Sequence, residues 1–341
     1  MVDANRPGVK TGQGAPIRDT RPAWRAAWRA FGAVLALMAP NAYGQAYPSG
    51  RTTLVIPIAP SLAFSVVIRQ LADQIQAKTG QPIVFDYVIG ADGTLGPPKV
   101  KRAKPDGYTI GLTYANPMTV NPYVEKEQRY DPLKDFTYIT MLTRHGVLYV
   151  ANNNFAANTI QDLVAMAKAK PNTVKIASAG VSARVWILQL EEAAGIRFFE
   201  IPYKSGADYA VALMSGDADI AGSTVGSQIG LIKGGKLKPI FIGSRSRSPM
   251  LPETPSISEV YPNAEMISWY ALYAPAGTPQ DRIDWLYREW TAAVKDPQMV
   301  EKIQTTFGYE VVGSTPQELL DQIKREIPIT QRLAKERNLS E

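Results

Sequence analysis

The 341-residue chain has no cysteine and a single histidine, His145. The first absence excludes a disulfide framework, a thiolate zinc site and a cysteine nucleophile together. The second leaves no His-based metal cluster within one chain, and a Ser-His-Asp triad would need this one residue in place. His145 is therefore read as a domain-surface or interdomain residue. No G-x-S-x-G turn is present, and "GGKLKPI" around Gly234 lacks the spacing and the Ser/Thr of a P-loop. Nothing repeats at a fixed short period, which excludes a solenoid. No cofactor, metal or catalytic residue is expected.

What is present is ordinary for a globular protein: 45% hydrophobic residues, 20% charged and a formal charge of +6. The charge is unevenly spread. Residues 1–45 carry a net +4 from Arg6, Lys10, Arg18, Arg21, Arg25 and Arg29 against Asp3 and Asp19, which leaves about +2 for the rest. That remainder is too weak and too scattered to grip a phosphate backbone. The stretch "RPAWRAAWRAFGAVLALMAPNAYGQA" has a basic start and an apolar run from Ala30 to Ala39, then small residues at Ala42, Gly44 and Ala46. This is the pattern of a cleaved secretion signal, and the run is too short to span a bilayer. Residues 1–46 are expected to be a leader, with cleavage after Gly44 or Ala46 and the mature chain free in the periplasm.

From Tyr47 onward, strand-like runs alternate with helical patterns. "TTLVIPI" precedes a helix opening at Ser65 and stopping at Gly80, with Ile68, Leu71, Ala72 and Ile75 on one face. "PIVFDYV" leads to a turn in which Pro97 and Pro98 suit only a first helical turn, and "DGYTIGLTY" is a third strand. The middle repeats the plan, with helices near Thr159–Ala169, Ala183–Ala194 and Ala207–Met214. Such alternation indicates parallel βαβ units, in which ligands bind beyond the C-terminal ends of the strands. A mature length near 295 residues exceeds the usual single domain, so two lobes are expected.

Five ungapped pieces are distinctive: "KPDGYTIGLT", "YDPLKDFTYIT", "IPYKSGADYAVALMSGDADIA", "SRSRSPMLPETPSISE" and "SWYALYAPAGTP". With them the chain resembles, essentially end to end, the substrate-binding receptors of tripartite tricarboxylate transporters, the periplasmic Bug proteins. The resemblance implies an α/β, two-lobed, type II-like periplasmic-binding-protein fold with the ligand cleft between the lobes. Lobe 1 would cover 47–148 with about 268–316 returning, lobe 2 would cover 149–267, and a C-terminal helix over 317–341 would pack back on both. It also implies a monomeric receptor, not an enzyme, that closes like a hinge over a small carboxylate. The receptor would pass its guest to a two-component membrane transporter.

In that family the loop after the first strand usually reads Pro-Gly-Gly-Ser-Thr-Asp and holds a ligand carboxylate through amides and hydroxyls. Here it reads Pro60, Ser61, Leu62, Ala63, Phe64 and Ser65. The second family loop appears as Ile89, Gly90, Ala91, Asp92, Gly93 and Thr94. The third, at a helix start in the other lobe, contains Ser182, Ala183 and Arg184. Ser223 falls where the family often has a polar group facing the cleft. The expected ligand-binding set is thus Ser61, Leu62, Phe64, Ser65, Gly90, Asp92, Gly93, Thr94, Ser182, Ala183, Arg184 and Ser223. Apolar Leu62 and Phe64 disfavour a polyol acid such as citrate, whose unpaired hydroxyls would cost about 1–3 kcal/mol each. A flat ring gains instead, roughly 0.5–1.5 kcal/mol beyond area burial. Arg184 offers a second carboxylate a bidentate partner. The outline is that of an aromatic dicarboxylate such as terephthalate. The alternatives are an aliphatic dicarboxylate, an aromatic monocarboxylate, or a sensor that presents its ligand to another protein. Trp186 and Trp269 read as core, and Asn116 and Asn121 as loop residues bonding to the backbone.

Overall fold

The structure, a computed structural model, describes residues 47–60, 63–125, 127 and 129–339, with Gly8 and Gly14 isolated before them. The expected leader lies outside the described residues, as do Ser61 and Leu62. Among the described residues, no helix is long and apolar enough to cross a membrane.

Two sheets organise the chain. The first contains β1 (Thr52–Ile56), β2 (Ile83–Tyr87), β3 (Thr109–Tyr114), β4 (Phe136–Gly146), β10 (Ile267–Pro275) and β11 (Glu310–Val311), in the order β11-β4-β10-β3-β1-β2. The second contains β5 (Leu148–Asn152), β6 (Lys175–Ser178), β7 (Phe199–Pro202), β8 (Ile220–Ser223) and β9 (Leu237–Ile242), in the order β7-β6-β8-β5-β9. Each sheet, with its helices, forms one lobe.

The expected parallel βαβ units are present in β1, β2 and β3 and in β6, β7 and β8, but β10 runs antiparallel to β3 and β4, β11 antiparallel to β4, and β5 antiparallel to β8 and β9. The reason is the crossing between lobes. β4 passes through Gly146 and Val147 directly into β5, which therefore enters its sheet from the end where the parallel strands finish. β10 makes the return journey and enters its own sheet in the same reversed sense. The crossing is tight: a Cβ on Gly146 would lie 2.5 Å from the Ser244 nitrogen, and one on Gly243 would lie 2.5 Å from the Met266 oxygen. Val147, Gly243 and Met266 are tied by backbone hydrogen bonds of 2.8–2.9 Å.

The first helix spans Ala63–Thr79 and buries Ile68, Leu71, Ala72 and Ile75 against β1, β3 and the helix Gln280–Val294. It begins two residues before the expected Ser65, so Ser65 sits inside the first turn. The helix Ile160–Ala169 starts at Thr159, whose side chain accepts from Asp162 N while Asp162 caps the Thr159 N–H in return. The helix expected to begin near Ala183 spans Gly180–Ala194. The last helix, Pro316–Arg337, touches both lobes. Its Leu319, Ile323 and Ile327 pack under the first sheet, whereas Leu333 joins Val181 and Val185 of the second lobe.

Candidate functional site

Because the parallel strands of both sheets end toward the crossing, their C-terminal loops converge. A cavity of about 460 Å³ lies among them, lined by Asp92 and Asn121 and by the charged Glu125, Glu127 and Arg129 from the first lobe, and by Gly180 and Val181 from the second.

The loop after β2 is unusual. Gly90, Ala91, Asp92 and Gly93 have φ values of 128°, 44°, 43° and 80°. Two of these are non-glycine residues in the left-handed region, which costs of order 1–3 kcal/mol each unless the surroundings enforce it. Here they do. Asp92 accepts from the Tyr114 hydroxyl at 2.8 Å, from Asn116 Nδ2 at 3.2 Å and from Asn121 Nδ2 at 3.3 Å. Asn116 and Asn121 thus chiefly hold a side chain rather than the backbone, although Asn121 also reaches the Asp92 carbonyl. A Cβ on Gly93 would meet Pro117 Cγ and Tyr114 Oη at 2.8 Å, so only glycine fits there. Thr94 is buried and donates its hydroxyl to the Ala91 carbonyl at 2.8 Å. Burial, then the Asp92 charge, push the Tyr114 phenol far above its ordinary range and keep it a neutral donor.

Phe64 is not an open cleft wall. It is 1% exposed, and its ring lies flat on Tyr270, centroids 3.7 Å apart and planes at 5°. The apolar start of the first helix pulls the ring inward onto β10. Ser65 is also buried and donates its hydroxyl to the Ala59 carbonyl at 2.6 Å, which commits that group to the loop. What the loop leaves at the surface is Tyr270, half-buried, with His145 and Tyr309 at centroid distances of 6.0 Å and Tyr114 at 6.3 Å. His145 lies beside the crossing, its ring 4.6 Å from that of Tyr309 and its Nδ1 buried without a protein partner. Burial lowers its pKa to about 4, so the imidazole is neutral at physiological pH.

In the second lobe three helices point their starts at the cleft. The helix Gly206–Ser215 is capped by Ser205, and the helix Val225–Lys233 by Thr224. The helix Gly180–Ala194 begins after Ala179 with no side-chain cap, so its first N–H groups remain for another acceptor. Ser182 in its first turn is buried, and its Oγ has no protein partner. Ala183 beside it is half-buried. Arg184 is turned toward its own lobe, with Nε 3.2 Å from the carboxylate of Glu200, which also accepts the Ser178 hydroxyl at 2.7 Å. Ser223 is internally committed as well. Tyr209 Oη and Gln228 Nε2 both donate to its Oγ at 3.0 Å, and Ser227 Oγ lies 2.9 Å away.

Sequence reasoning missed Tyr114, Tyr270, Asn121 and Gln228 as the side-chain partners that hold Asp92, Phe64 and Ser223. One signal was available: in "SWYALY", alternation puts Trp269 and Ala271 on one face of the strand and Tyr270 and Leu272 on the other. Trp269 is core, as expected, and donates its Nε1–H to Glu326 at 2.9 Å. Trp186 is half-buried. Among the described residues, no group of three His, Asp or Glu side chains is arranged to hold a metal ion.

The arrangement, two α/β lobes joined by crossing strands with helix starts facing a central cleft, defines a solute-binding receptor. Residues 67–339 match the family model described as the tripartite tricarboxylate transporter family receptor, and the chain belongs to that family. It is 27% identical over 288 residues to the protein BugT of Bordetella pertussis, covering 82% of this chain and 88% of that protein. The solved periplasmic binding protein BugD superposes with a TM-score of 0.70 at 29% identity, covering 86% of this chain and 99% of its own. The R. palustris protein Rpa4515, solved with adipate, shares the fold with a TM-score of 0.72 at 24% identity, covering 85% and 97%. The protein is a substrate-binding receptor of the periplasmic binding type, not an enzyme.

Proposed function

We propose that this receptor captures a small aromatic dicarboxylate, with terephthalate the concrete candidate, and delivers it to a two-component membrane transporter. Residues 1–46 act as the secretion leader, and the lobes close on the guest as a monomer. The observation that carries the reading is the uncapped helix start at Gly180, with the unpartnered Ser182 hydroxyl in its first turn. A carboxylate there gains the helix N–H groups and that hydroxyl, whereas the two neighbouring helix starts are already satisfied by Ser205 and Thr224. The aromatic cluster beside the cleft favours a ring over a hydroxylated chain. The adipate in Rpa4515 makes a small dicarboxylate a reasonable guest for this scaffold. Closure follows when contacts to both lobes are made at once, because only differential affinity shifts that equilibrium.

One observation favours a second reading. Arg184 is already paired with Glu200, which lowers its value to a second carboxylate and suits an aromatic monocarboxylate. Calorimetric titration of the mature chain with terephthalate, benzoate, adipate, citrate and glutamate tests both. Terephthalate is expected to bind most tightly. Benzoate binding as well as terephthalate transfers the assignment to the second reading, and citrate or glutamate binding more tightly than either refutes both.

A further inference from the structure

We infer that Tyr270, rather than Phe64, is the specificity-determining aromatic platform of the cleft, and that Phe64 acts through it as a positioning residue; this rests on the carboxylate-receptor reading above. Tyr270 lies on β10, paired with Tyr114 at the end of β3 and with Thr143 of β4. That position places it at the rim where the ligand loops converge. It alternates in side with Trp269 and Ala271, so its ring shares a face with the first helix rather than with the C-terminal one.

Three contacts fix the ring. Phe64 covers one face at 3.7 Å, the Tyr270 hydroxyl is hydrogen-bonded to that of Tyr309, and His145 lies 6.0 Å from it at a plane angle of 29°. A ring held this way has already lost its rotamer freedom, so little entropy is spent when a guest packs on it. Its hydroxyl is engaged with Tyr309, and what Tyr270 has left to offer is apolar ring surface. Phe64, Tyr270 and Tyr309 are all uncharged and the neighbouring imidazole is neutral, so the platform itself carries no charge; the Asp92 carboxylate nearby is held by hydrogen bonds from Tyr114, Asn116 and Asn121. Phe64 is 1% exposed, whereas Tyr270 retains solvent contact. A guest therefore reaches Tyr270 first and meets Phe64 only through it.

The test compares Tyr270→Leu, Tyr270→Phe, Phe64→Leu and the unaltered mature protein, each titrated with terephthalate and with adipate. Circular dichroism and melting curves confirm that each variant is folded. The quantity read is the ratio of the two affinities. An aromatic contact is worth roughly two- to tenfold, so Tyr270→Leu is expected to lower the terephthalate/adipate ratio by about that factor, whatever common loss both acids show. Tyr270→Phe keeps the ring and is expected to keep the ratio. Phe64→Leu is expected to lower it less than Tyr270→Leu. A ratio unchanged in Tyr270→Leu, or one lost only in Phe64→Leu, overturns the inference. Failure of the unaltered protein to bind either acid overturns the receptor reading beneath it, and is distinguishable because no ratio then exists.

Discussion

Arg184 and Glu200 face each other within the second lobe at 3.2 Å, with the Ser178 hydroxyl on the same carboxylate. The pair links the helix Gly180–Ala194 to the neighbouring strand and holds the guanidinium proposed as partner of a second ligand carboxylate. Both partners are partly exposed, so the pair itself is worth only about 0.2–1 kcal/mol. Glu200→Gln is expected to free Arg184 and to tighten binding of a dicarboxylate by a few-fold, with less effect on a monocarboxylate. Arg184→Ala is expected to weaken the dicarboxylate selectively. Paired calorimetric titrations of terephthalate and benzoate check both directions.

Gly93 has φ +80° and no room for a Cβ beside Pro117 and Tyr114. Gly93→Ala is expected to destabilise the protein by about 1–3 kcal/mol through backbone strain, with added cost from the displaced Tyr114. Because Tyr114 also holds Asp92, carboxylate affinity should fall with stability. Asp92→Asn, which keeps an acceptor for Tyr114, should be milder. Urea denaturation of both variants measures the difference.

The C-terminal helix joins the lobes through Leu333, buried with Val120, Val124, Val181 and Val185. Arg332 adds an ion pair to Glu192 at 2.7 Å. The apolar contact should dominate: Leu333→Ala is expected to cost about 2–5 kcal/mol. Arg332→Ala is expected to cost no more than about 1 kcal/mol, since both charges are exposed. Val181 belongs to the first turn of the uncapped helix, so Leu333→Ala should also weaken ligand binding. Chemical denaturation and titration of the two variants test this order.

Two half-buried groups give stability opposite pH slopes. Burial lowers His145 to about 4 from its ordinary 6.5, so the fold favours the neutral ring. Its contribution is complete above pH 6.5 and is lost as pH falls toward 4. Glu326 is shifted the other way, raised by burial despite its bonds from Gln322 and Trp269. The fold favours its protonated form, and stability declines as pH rises above the ordinary 4.5. His145→Gln should flatten the acid side of a melting-temperature profile. Glu326→Gln, which keeps an acceptor for Trp269, should raise the neutral side.

Much of the fold was legible because helix and strand periodicities are local properties of the chain. The buried face of Ile68, Leu71, Ala72 and Ile75 and the Thr159 cap follow from spacing alone. The antiparallel β5 and β10 were not legible, because their direction follows from where the chain crosses between sheets rather than from any local pattern. The cleft was legible as a set of loops but not as a set of side-chain roles. Phe64 lies beside a ligand loop in sequence, yet a partner about two hundred residues away, Tyr270, draws it inward. Arg184 and Ser223 were visible as polar cleft candidates. Their commitments to Glu200, and to Tyr209 and Gln228, depend on contacts between separate elements.

The most direct measurement is a crystal structure of the chain from Tyr47 onward grown with terephthalate. The account predicts one carboxylate on the N–H groups at Gly180–Ala183 and the Ser182 hydroxyl, with the ring against Tyr270. An empty cleft, or a guest seated instead in the separate cavity lined by Gln189, Tyr261 and Arg332, would contradict it.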